Sequence, residues 1–252
     1  MEQKNILIIG GHDPTGGAGI SADQEAAYSK NIRVLSIISC LTVQNSSKVS
    51  AVHSVPKGYI TKCYNQIRKE FKINGIKIGL IPSLNAAKEI FKIISKKENK
   101  NIPIVLDPIL ISGSEYKFLK KNIKNFLMRH LIKNVDVITP NLSEYKIIKE
   151  ELLKKQNYRL GNILITNYKE NDNFIFIKNI NSKNNTEKIY KVKRYKKNYH
   201  GTGCTFSTKL LCELTLSKNF EESVQVSLNY MKKVIKSSKY KGIKQYFLNR
   251  IL

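Results

Sequence analysis

The chain has 252 residues, which is enough for one large α/β domain or two small ones. It has no apolar run of about 18 residues, and its first residues are too polar for a signal peptide, so we expect a cytoplasmic protein with no membrane partner. The four cysteines form no C-x-x-C pair and no metal-ligand spacing. This pattern also favours a reducing compartment.

The formal net charge of +25 would ordinarily suggest a nucleic-acid partner. However, the basic residues are 38 lysines and only 6 arginines, and the lysines are scattered along every segment. Base readout and bidentate phosphate contacts favour arginine. We therefore expect no specific nucleic-acid partner, although the excess charge should attract anionic substrates such as ATP.

The first predicted element is a strand over residues 4–11, because residues 6–9 form a continuous apolar run. A glycine-rich loop, GGHDPTGGAG at residues 10–19, leads into a helix predicted over 20–30. A P-loop does not fit, since Gly17 and Ala18 stand where Lys and Ser/Thr are required. A dinucleotide fingerprint does not fit either, because the next strand ends in Gln44 and Asn45 instead of an acid.

Strands and helices alternate over most of the remaining chain, which predicts one doubly wound, mostly parallel α/β sheet flanked by helices. A polar turn joining two apolar runs near residue 184 predicts a hairpin. The predicted strands cover residues 34–43, 76–81, 102–106, 135–139, 162–166, 174–180 and 188–195. The predicted helices after the first cover residues 56–72, 83–97 and 221–236, and a further helix follows residue 201.

Polar side chains stand at the carboxyl ends of these strands, where ligands of open α/β sheets gather. The amide of Gln44 offers one acceptor and two donors, which suits the edge of a base. Glu144 falls in a first helical turn, where a carboxylate can hold hydrated Mg²⁺ beside nucleotide phosphates. The alternatives are a polar strand end for Gln44 and an ordinary helix-terminal acid for Glu144.

Residues 199–207 read YHGTGCTFS and form a predicted loop-to-helix junction. Gly201 and Gly203 allow the backbone to turn so that successive N–H groups point one way. The free N–H groups of a helix start suit a phosphate or a transferring phosphoryl group. At this position the pKa of the Cys204 thiol is expected to fall, so that it could act as a base. The alternative is a glycine-containing cap with a buried, inert cysteine.

Residues 200–207 resemble the anion-hole signature of the ribokinase-like small-molecule kinases, in the form found in hydroxymethylpyrimidine/phosphomethylpyrimidine kinases. Residues 11–23 resemble the substrate loop of the same family over thirteen positions. Further matches are the Lys-Ile-Gly-Leu of residues 77–80 and the Thr-Pro-Asn-x-x-Glu of residues 139–144. Many superfamily members have Asp where this chain has Cys204. The resemblance covers nearly the whole chain and implies a single kinase domain over residues 1–252.

The resemblance implies ATP- and Mg²⁺-dependent phosphorylation of 4-amino-5-hydroxymethyl-2-methylpyrimidine, and then of its monophosphate, in thiamine biosynthesis. The two glycine loops should then share one cavity, in a protein that we expect to be a homodimer. The implied substrate-binding residues are Gly11, Asp23, Gln44 and Leu80, and the nucleotide-binding residues are Asn141, Thr166 and Thr202. The implied metal-binding residues are Glu144 and Asp107, and the catalytic residues are Gly201, Gly203 and the base Cys204.

Two stretches depart from the family pattern. The strand ending at Thr166 continues into Asn167-Tyr168-Lys169, where the family usually has Lys-Gly-Gly-His near the nucleotide. After Asp107 and Pro108, residues 109–114 match only partly, through Ser112-Gly113. The missing Lys-Gly-Gly-His leaves one alternative open, a catalytically decayed protein that binds pyrimidine or nucleic acid. A second alternative is a pyridoxal-type kinase on the same fold, since some relatives in the resembled family accept a pyridine.

Overall fold

The arrangement of the chain was taken from a computed structural model, which describes residues 3–28, 30, 32–110, 121–152, 159–216 and 219–252. Nine strands form one sheet in the order β3-β2-β1-β4-β5-β6-β7-β8-β9. They are β1 Asn5–His12, β2 Arg33–Gln44, β3 Val49–Ser54, β4 Gly75–Ile78, β5 Ile104–Leu106, β6 Val137–Ile138, β7 Asn162–Glu170, β8 Phe174–Asn181 and β9 Thr186–Lys193. In the run β2-β1-β4-β5-β6-β7 every neighbouring pair is parallel. The pairs β2–β3, β7–β8 and β8–β9 are antiparallel.

Helices cover both faces of this sheet. They are α1 Gly19–Tyr28, α2 Tyr59–Glu70, α3 Leu84–Ile94, α4 Lys121–Phe126, α5 Leu142–Leu152, α6 Thr202–Thr215 and α7 Phe220–Ser237. Two short strands, β10 Tyr199–His200 and β11 Tyr246–Phe247, pair in parallel beside the main sheet.

Strand β1 shows why its apolar run is continuous. Ile6 and Ile8 pack in the core formed with α1, α6 and α7, whereas Leu7 and Ile9 pack in the core formed with α2, α3 and α5. Successive side chains of a strand point to opposite faces, so a strand covered by helices on both sides needs apolar residues at every position. The mostly parallel α/β sheet predicted from the sequence is confirmed.

Several elements differ from the sequence prediction, since α4, β10 and β11 were not predicted and β3 and β7 also differ. The antiparallel edge strand β3 was not predicted, because its residues VSAVHS alternate only weakly and are partly or fully exposed. Strand β7 was expected to end at Thr166, but it continues to Glu170 across an irregularity in its pairing with β8. Ser83 caps α3, since its side chain accepts a hydrogen bond of 3.2 Å from the backbone N–H of Ala86.

The order of the strands determines where a ligand can bind. The chain runs from β1 outward to β2 and later returns to place β4 on the other side of β1. Such a reversal opens a crevice at the carboxyl ends of the neighbouring strands. The ends of β1, β4, β5 and β6 and the start of α6 all meet at this crevice.

Candidate active site

A cavity of about 1120 Å³ lies at the crevice. Two loops from opposite ends of the chain line it: the first glycine loop, residues 10–19, and the second glycine loop, residues 199–204. The expectation that they share one cavity is confirmed. All twelve residues singled out from the sequence line this cavity, namely Gly11, Asp23, Gln44, Leu80, Asp107, Asn141, Glu144, Thr166, Gly201, Thr202, Gly203 and Cys204.

The two glycine loops are in direct contact. Gly201 caps α6 with a left-handed φ of 75°, and a Cβ at this position would clash with the carbonyl oxygen of Gly17. A Cβ at Gly17 would clash in turn with the ring of His200. Two glycines are therefore required here for close approach, in addition to the conformational freedom that Gly201 needs.

Asp13 forms a polar bridge between the loops. Its Oδ2 lies 2.7 Å from Nε2 of His200 and also accepts the backbone N–H of Ala18, while Oδ1 accepts both the N–H and the hydroxyl of Thr15. Burial alone would raise the pKa of Asp13, but the hydrogen bonds with His200 and Thr15 hold it below its ordinary value. Asp13 is thus an ionised anchor that binds His200 of the second glycine loop.

A buried ion pair lies under the cavity. Lys77 Nζ is 2.6 Å from Asp23 Oδ1, and the side chains of both residues are at most 1% exposed. Thr208 on α6 donates to the same oxygen at 2.8 Å. Desolvation by itself would lower the pKa of Lys77, but the negative charge of Asp23, with smaller effects from Cys204 and Asp107, holds it above its ordinary value. Lys77 is therefore the fixed positive charge among these three acidic groups.

Sequence reasoning matched Lys77 to a family motif but assigned it no role. The signal was available, because a lysine interrupts an otherwise apolar strand, β4, whose four residues are all buried. A charged side chain at such a position is retained only when it is paired.

Cys204 lies in the first turn of α6 and is 7% exposed. The expected fall in its pKa is wrong for this structure: burial raises the pKa of the thiol to about 11. The positive charge of Lys77 and a hydrogen bond from the Gly19 backbone oppose this effect, while Asp23 and Asp107 reinforce it. Desolvation outweighs the helix terminus, so the thiol is protonated at neutral pH.

Asp107 and Glu144 are two buried carboxyl groups with raised pKa values. Burial raises the pKa of Asp107 to about 6, despite the opposing charge of Lys77 and a 3.3 Å hydrogen bond from Ser207. Burial, followed by the charge of Asp107, raises the pKa of Glu144 to about 8.

Glu144 also has a structural role at the start of α5. Its Oε2 accepts the backbone N–H of Asn141 at 2.9 Å, and Asn141 Oδ1 accepts the N–H of Glu144 at 2.9 Å. This reciprocal pair is a capping box. Glu144 Oε1 accepts the N–H of Leu110 at 3.2 Å. The helix-terminal alternative considered for Glu144 is therefore part of its role, and the carboxylate still lines the cavity.

The stretch that replaces Lys-Gly-Gly-His forms a bulge at the cavity. Asn167 has a left-handed φ of 51°, a conformation that glycine adopts freely and asparagine tolerates best among other residues. Its neighbour Thr166 bridges to Asn141 on the adjoining strand end and donates its N–H to Pro140 at 2.8 Å. Asn167 thus supplies a left-handed residue in this stretch, and Thr166, Asn167 and Asn141 line the cavity together.

Gln44, Leu80 and Gly11 form the other end of the site. Leu80 is 7% exposed, and its carbonyl accepts a 2.6 Å hydrogen bond from the hydroxyl of Ser39. A Cβ at Gly11 would lie 3.1 Å from Cys40 and 3.2 Å from Leu80. Glycine therefore allows the side chains of Cys40 and Leu80 to pack close to the backbone of β1. An amide beside an apolar wall suits a flat heterocycle with polar edges.

Some expectations concern other parts of the chain. Ser112 and Gly113, which gave the partial match after Asp107, lie outside the described residues. His53 and His130 are exposed. Among the residues that the structure describes, no cluster of three or more metal-ligating side chains occurs, and no helix has the length and apolar character needed to cross a bilayer.

Known proteins resemble this chain in sequence. Residues 13–248 match the model of the family described as phosphomethylpyrimidine kinase. The hydroxymethylpyrimidine/phosphomethylpyrimidine kinase of Aquifex aeolicus is 30% identical over 250 residues, which cover 94% of this chain and 96% of that protein. A bifunctional thiamine biosynthesis protein of Methanocaldococcus jannaschii is 31% identical over 90% of this chain, which spans 52% of that longer protein.

Solved structures resemble it in fold. The phosphomethylpyrimidine kinase of Clostridium difficile 630 superposes with a TM-score of 0.75 and 26% identity, over 93% of this chain and all of that one. An ADP complex of Bacillus subtilis pyridoxal kinase gives a TM-score of 0.85 at 21% identity, over 99% and 98% of the two chains, which shows the shared ribokinase-like fold. With the sheet, the shared cavity and the family match together, the chain belongs to the phosphomethylpyrimidine kinase family.

Proposed function

We propose that this chain transfers the γ-phosphoryl group of ATP to hydroxymethylpyrimidine and then to hydroxymethylpyrimidine phosphate, in thiamine biosynthesis. The observation that supports the proposal is one cavity lined both by Gln44 and Leu80 and by the amino-terminal turn of α6. The first feature suits a flat aminopyrimidine, and the second suits a phosphoryl group. The match to the kinase family supports the same conclusion.

The pyrimidine ring would bind between Gln44, Leu80 and Asp23. Both described hydrogen bonds to Asp23 go to Oδ1, from Lys77 and Thr208. We assign Oδ2 to the substrate, where it accepts a hydrogen bond from the amino or hydroxymethyl group. Lys77 pairs with this buried carboxyl group, as a buried charge requires, and Oδ2 serves as the acceptor.

In the chemical step, the hydroxymethyl oxygen bonds to the γ-phosphorus as the bond to the β,γ-bridging oxygen breaks. Cys204 takes the hydroxyl proton, and ADP leaves. The backbone N–H groups of residues 201–204 stabilise the charge that develops on the transferring group. Because the thiol is protonated in the substrate-free site, it must release a proton before it can accept one, so this step should be faster at alkaline pH.

Asp107 and Glu144 fit a Mg²⁺ site. Burial raises the pKa of both carboxyl groups, and the charge of Asp107 raises that of Glu144 further; a divalent cation would offset both effects. Mg²⁺ typically uses one or two carboxylates, with water and substrate phosphates as its other ligands. When bound, it supplies charge neutralisation to the phosphates of ATP.

This assignment has a test that does not depend on turnover. Since the carboxylates must lose protons to bind the ion, Mg²⁺ affinity should rise between pH 6 and pH 8 and binding should release protons. Calorimetric titration in two buffers of different ionisation enthalpy measures the release. Affinity that is equal at both pH values would remove Asp107 and Glu144 from the metal site.

ATP would bind between the second glycine loop, the Thr166–Asn141 bridge and a basic stretch. The assignment of this stretch to ATP binding is supported by its position on the cavity wall, since a positive field attracts a polyphosphate. Its members are Lys191, Lys193, Arg194, Lys196 and Lys197.

Steady-state kinetics with ATP and either hydroxymethylpyrimidine or pyridoxal tests the proposed function. We expect a higher kcat/KM for the pyrimidine, because the amide of Gln44 matches a ring nitrogen beside an amino group. A preference for pyridoxal would favour the pyridoxal-type alternative. Binding of the pyrimidine without any ATP consumption would favour the decayed binding protein. A titration with RNA whose affinity survives moderate salt would favour a nucleic-acid partner.

We also propose that the protein is a homodimer in the cytoplasm. Leu41 and Val43 on β2 are 50% and 52% exposed, and both lie next to the antiparallel edge strand β3. Adjacent exposed apolar side chains at a sheet edge are suited to burial against a second copy. Sedimentation of wild type and of Leu41→Glu/Val43→Glu tests this. A wild-type monomer at micromolar concentration would overturn it.

A further inference from the structure

Arg250 connects elements that the sequence motifs describe separately. Its side chain is only 2% exposed, although it belongs to a segment near residue 252 that carries no motif. Strand β11 pairs with β10 at the start of the second glycine loop, and Tyr230 on α7 donates to the carbonyl of Arg250 at 2.8 Å. The backbone before Arg250 is therefore held, and the guanidinium is directed inward.

The guanidinium binds both glycine loops and both helices that follow them. On the side of the first loop, it donates to the carbonyl of Gly17 and pairs with Glu25 on α1 at 2.9 Å. On the side of the second loop, its Nε donates to the hydroxyl of Thr205 on α6 at 2.7 Å. Longer contacts of 3.5 Å reach the carbonyls of Gly16 and His200.

These contacts lie where the two glycine loops touch each other, at Gly17 and Gly201. The carbonyl of Gly17 that accepts from Arg250 is the same atom that a Cβ at Gly201 would strike. Arg250 thus binds the two loops where they touch, and the Asp13–His200 bridge joins them at a second point. Only arginine presents several N–H donors in a fixed planar fork, so lysine cannot make the same set of contacts.

We propose that Arg250 is a positioning residue for phosphoryl transfer, which fixes the distance between the loop that holds the acceptor substrate and the loop that stabilises the transferring group. Arg250 does not belong to the cavity lining and acts through the loops. This inference rests on the proposed kinase activity. Because in-line transfer depends on alignment, a misplacement of about 1 Å between reacting groups can cost on the order of 10²-fold in rate.

The test compares Arg250→Lys and Glu25→Gln with a matched control, Arg159→Lys. Arg159 is also a well-bound arginine: it pairs with Asp136 at 2.8 Å and donates to the carbonyls of Asn99 and Ile102. It lies at the amino ends of the parallel strands, away from the cavity. Its replacement should lower the melting temperature and leave turnover close to wild type.

For Arg250→Lys we expect kcat to fall by about 10- to 100-fold, with KM for the pyrimidine changed by less than about threefold. Glu25→Gln should give a smaller loss of the same kind. Added guanidinium should partly restore kcat to Arg250→Ala, if that variant folds, and should not affect Arg159→Lys. If kcat of Arg250→Lys stays within about twofold of wild type, or falls only in proportion to lost folded protein, the proposal is overturned.

Hydrogen exchange provides a readout without turnover. In Arg250→Lys, the peptides that cover residues 13–20 and 199–206 should both exchange faster than in wild type, while peptides of β7 and β8 remain unchanged. Unchanged exchange in both loops contradicts the positioning role whether or not the protein is an active kinase. Faster exchange in a protein without any kinase activity would instead support the loop connection and overturn the proposed function.

Discussion

At the scale of single residues, the site depends on how burial and charge act on each titratable group. The charge of Asp23 raises the pKa of Lys77, Asp107 and Cys204, while the positive charge of Lys77 opposes the effect of burial on Asp107 and Cys204. Asp13 and Asp23 are each bound by fixed donors, whereas Asp107 and Glu144 have raised pKa values. Asp13 and Asp23 therefore serve as hydrogen-bond acceptors that anchor other groups. Asp107 and Glu144 can bind or release protons and can bind a cation.

Cys204 should give the reaction a dependence on pH. The thiol titrates near pH 11, so the thiolate fraction, and with it kcat, should rise as pH increases from 7 to 9. In Cys204→Asp the base ionises at much lower pH, and the profile should become flat above about pH 8. Cys204→Ala should lose about 10²- to 10⁴-fold in kcat and keep substrate binding. Unchanged kcat in Cys204→Ala would refute the role of base.

Lys77 should be essential for stability as well as for the site. Lys77→Met leaves Asp23 buried without its partner, and removal of one member of a buried pair costs about 3–5 kcal/mol. The double variant Lys77→Met/Asp23→Asn should recover much of this loss. Denaturant unfolding of both variants measures the free energies. Lys188→Met, which breaks the exposed pair with Glu221, serves as a control with little expected effect. Equal losses in the two single variants would contradict a special role for the buried pair.

At the scale of elements, the start of α6 and the first glycine loop act as one unit. In Gly201→Ala, the alanine must adopt a left-handed backbone, and its Cβ needs the space that the Gly17 carbonyl occupies. Gly58→Ala, at the start of α2, requires only the left-handed backbone, because nothing lies within 4 Å of its Cβ. We expect Gly58→Ala to cost about 1–2 kcal/mol without loss of turnover.

Gly201→Ala should cost more stability than Gly58→Ala and should also lower kcat, because the two loops must separate. Thermal unfolding and steady-state kinetics of the two variants provide the comparison. Similar effects of both substitutions would mean that the contact between the loops has no functional importance.

The elements also show what the sequence can predict. Buried parallel strands and the two glycine loops carry strong local patterns, such as the apolar run of β1 and the glycines of residues 199–204. The edge strand β3 lacks an apolar face, so its pairing with β2 depends on the neighbour and not on its own residues. Asn167 supplies a backbone conformation that a pattern search for glycine cannot detect.

At the scale of the whole molecule, the contacts that hold the site together join residues far apart in the chain. Asp13 and His200 are 187 positions apart, and Gly17 and Arg250 are 233 apart. The motifs predicted which residues line the cavity, because each motif is a short stretch of neighbouring residues that can be read from the sequence. They could not predict that Arg250 would bind both loops, or that burial would raise the pKa of Cys204, because both effects arise only when distant segments pack together.

The net charge of +25 also acts at this scale. Scattered lysines account for most of it, and a basic stretch between residues 191 and 197 adds to the wall of the cavity. A long-range positive field increases the rate at which ATP is captured and makes that rate sensitive to salt. This effect requires no specific nucleic-acid surface.

The most direct test of the central claim is a crystal structure with hydroxymethylpyrimidine and a non-hydrolysable ATP analogue. The account predicts that the pyrimidine ring contacts Gln44 and Asp23, and that the γ-phosphoryl group lies against the N–H groups of residues 201–204. The substrate hydroxyl should then lie between Cys204 and the γ-phosphorus. A pyrimidine bound outside the cavity, or a phosphoryl group away from the start of α6, would contradict it.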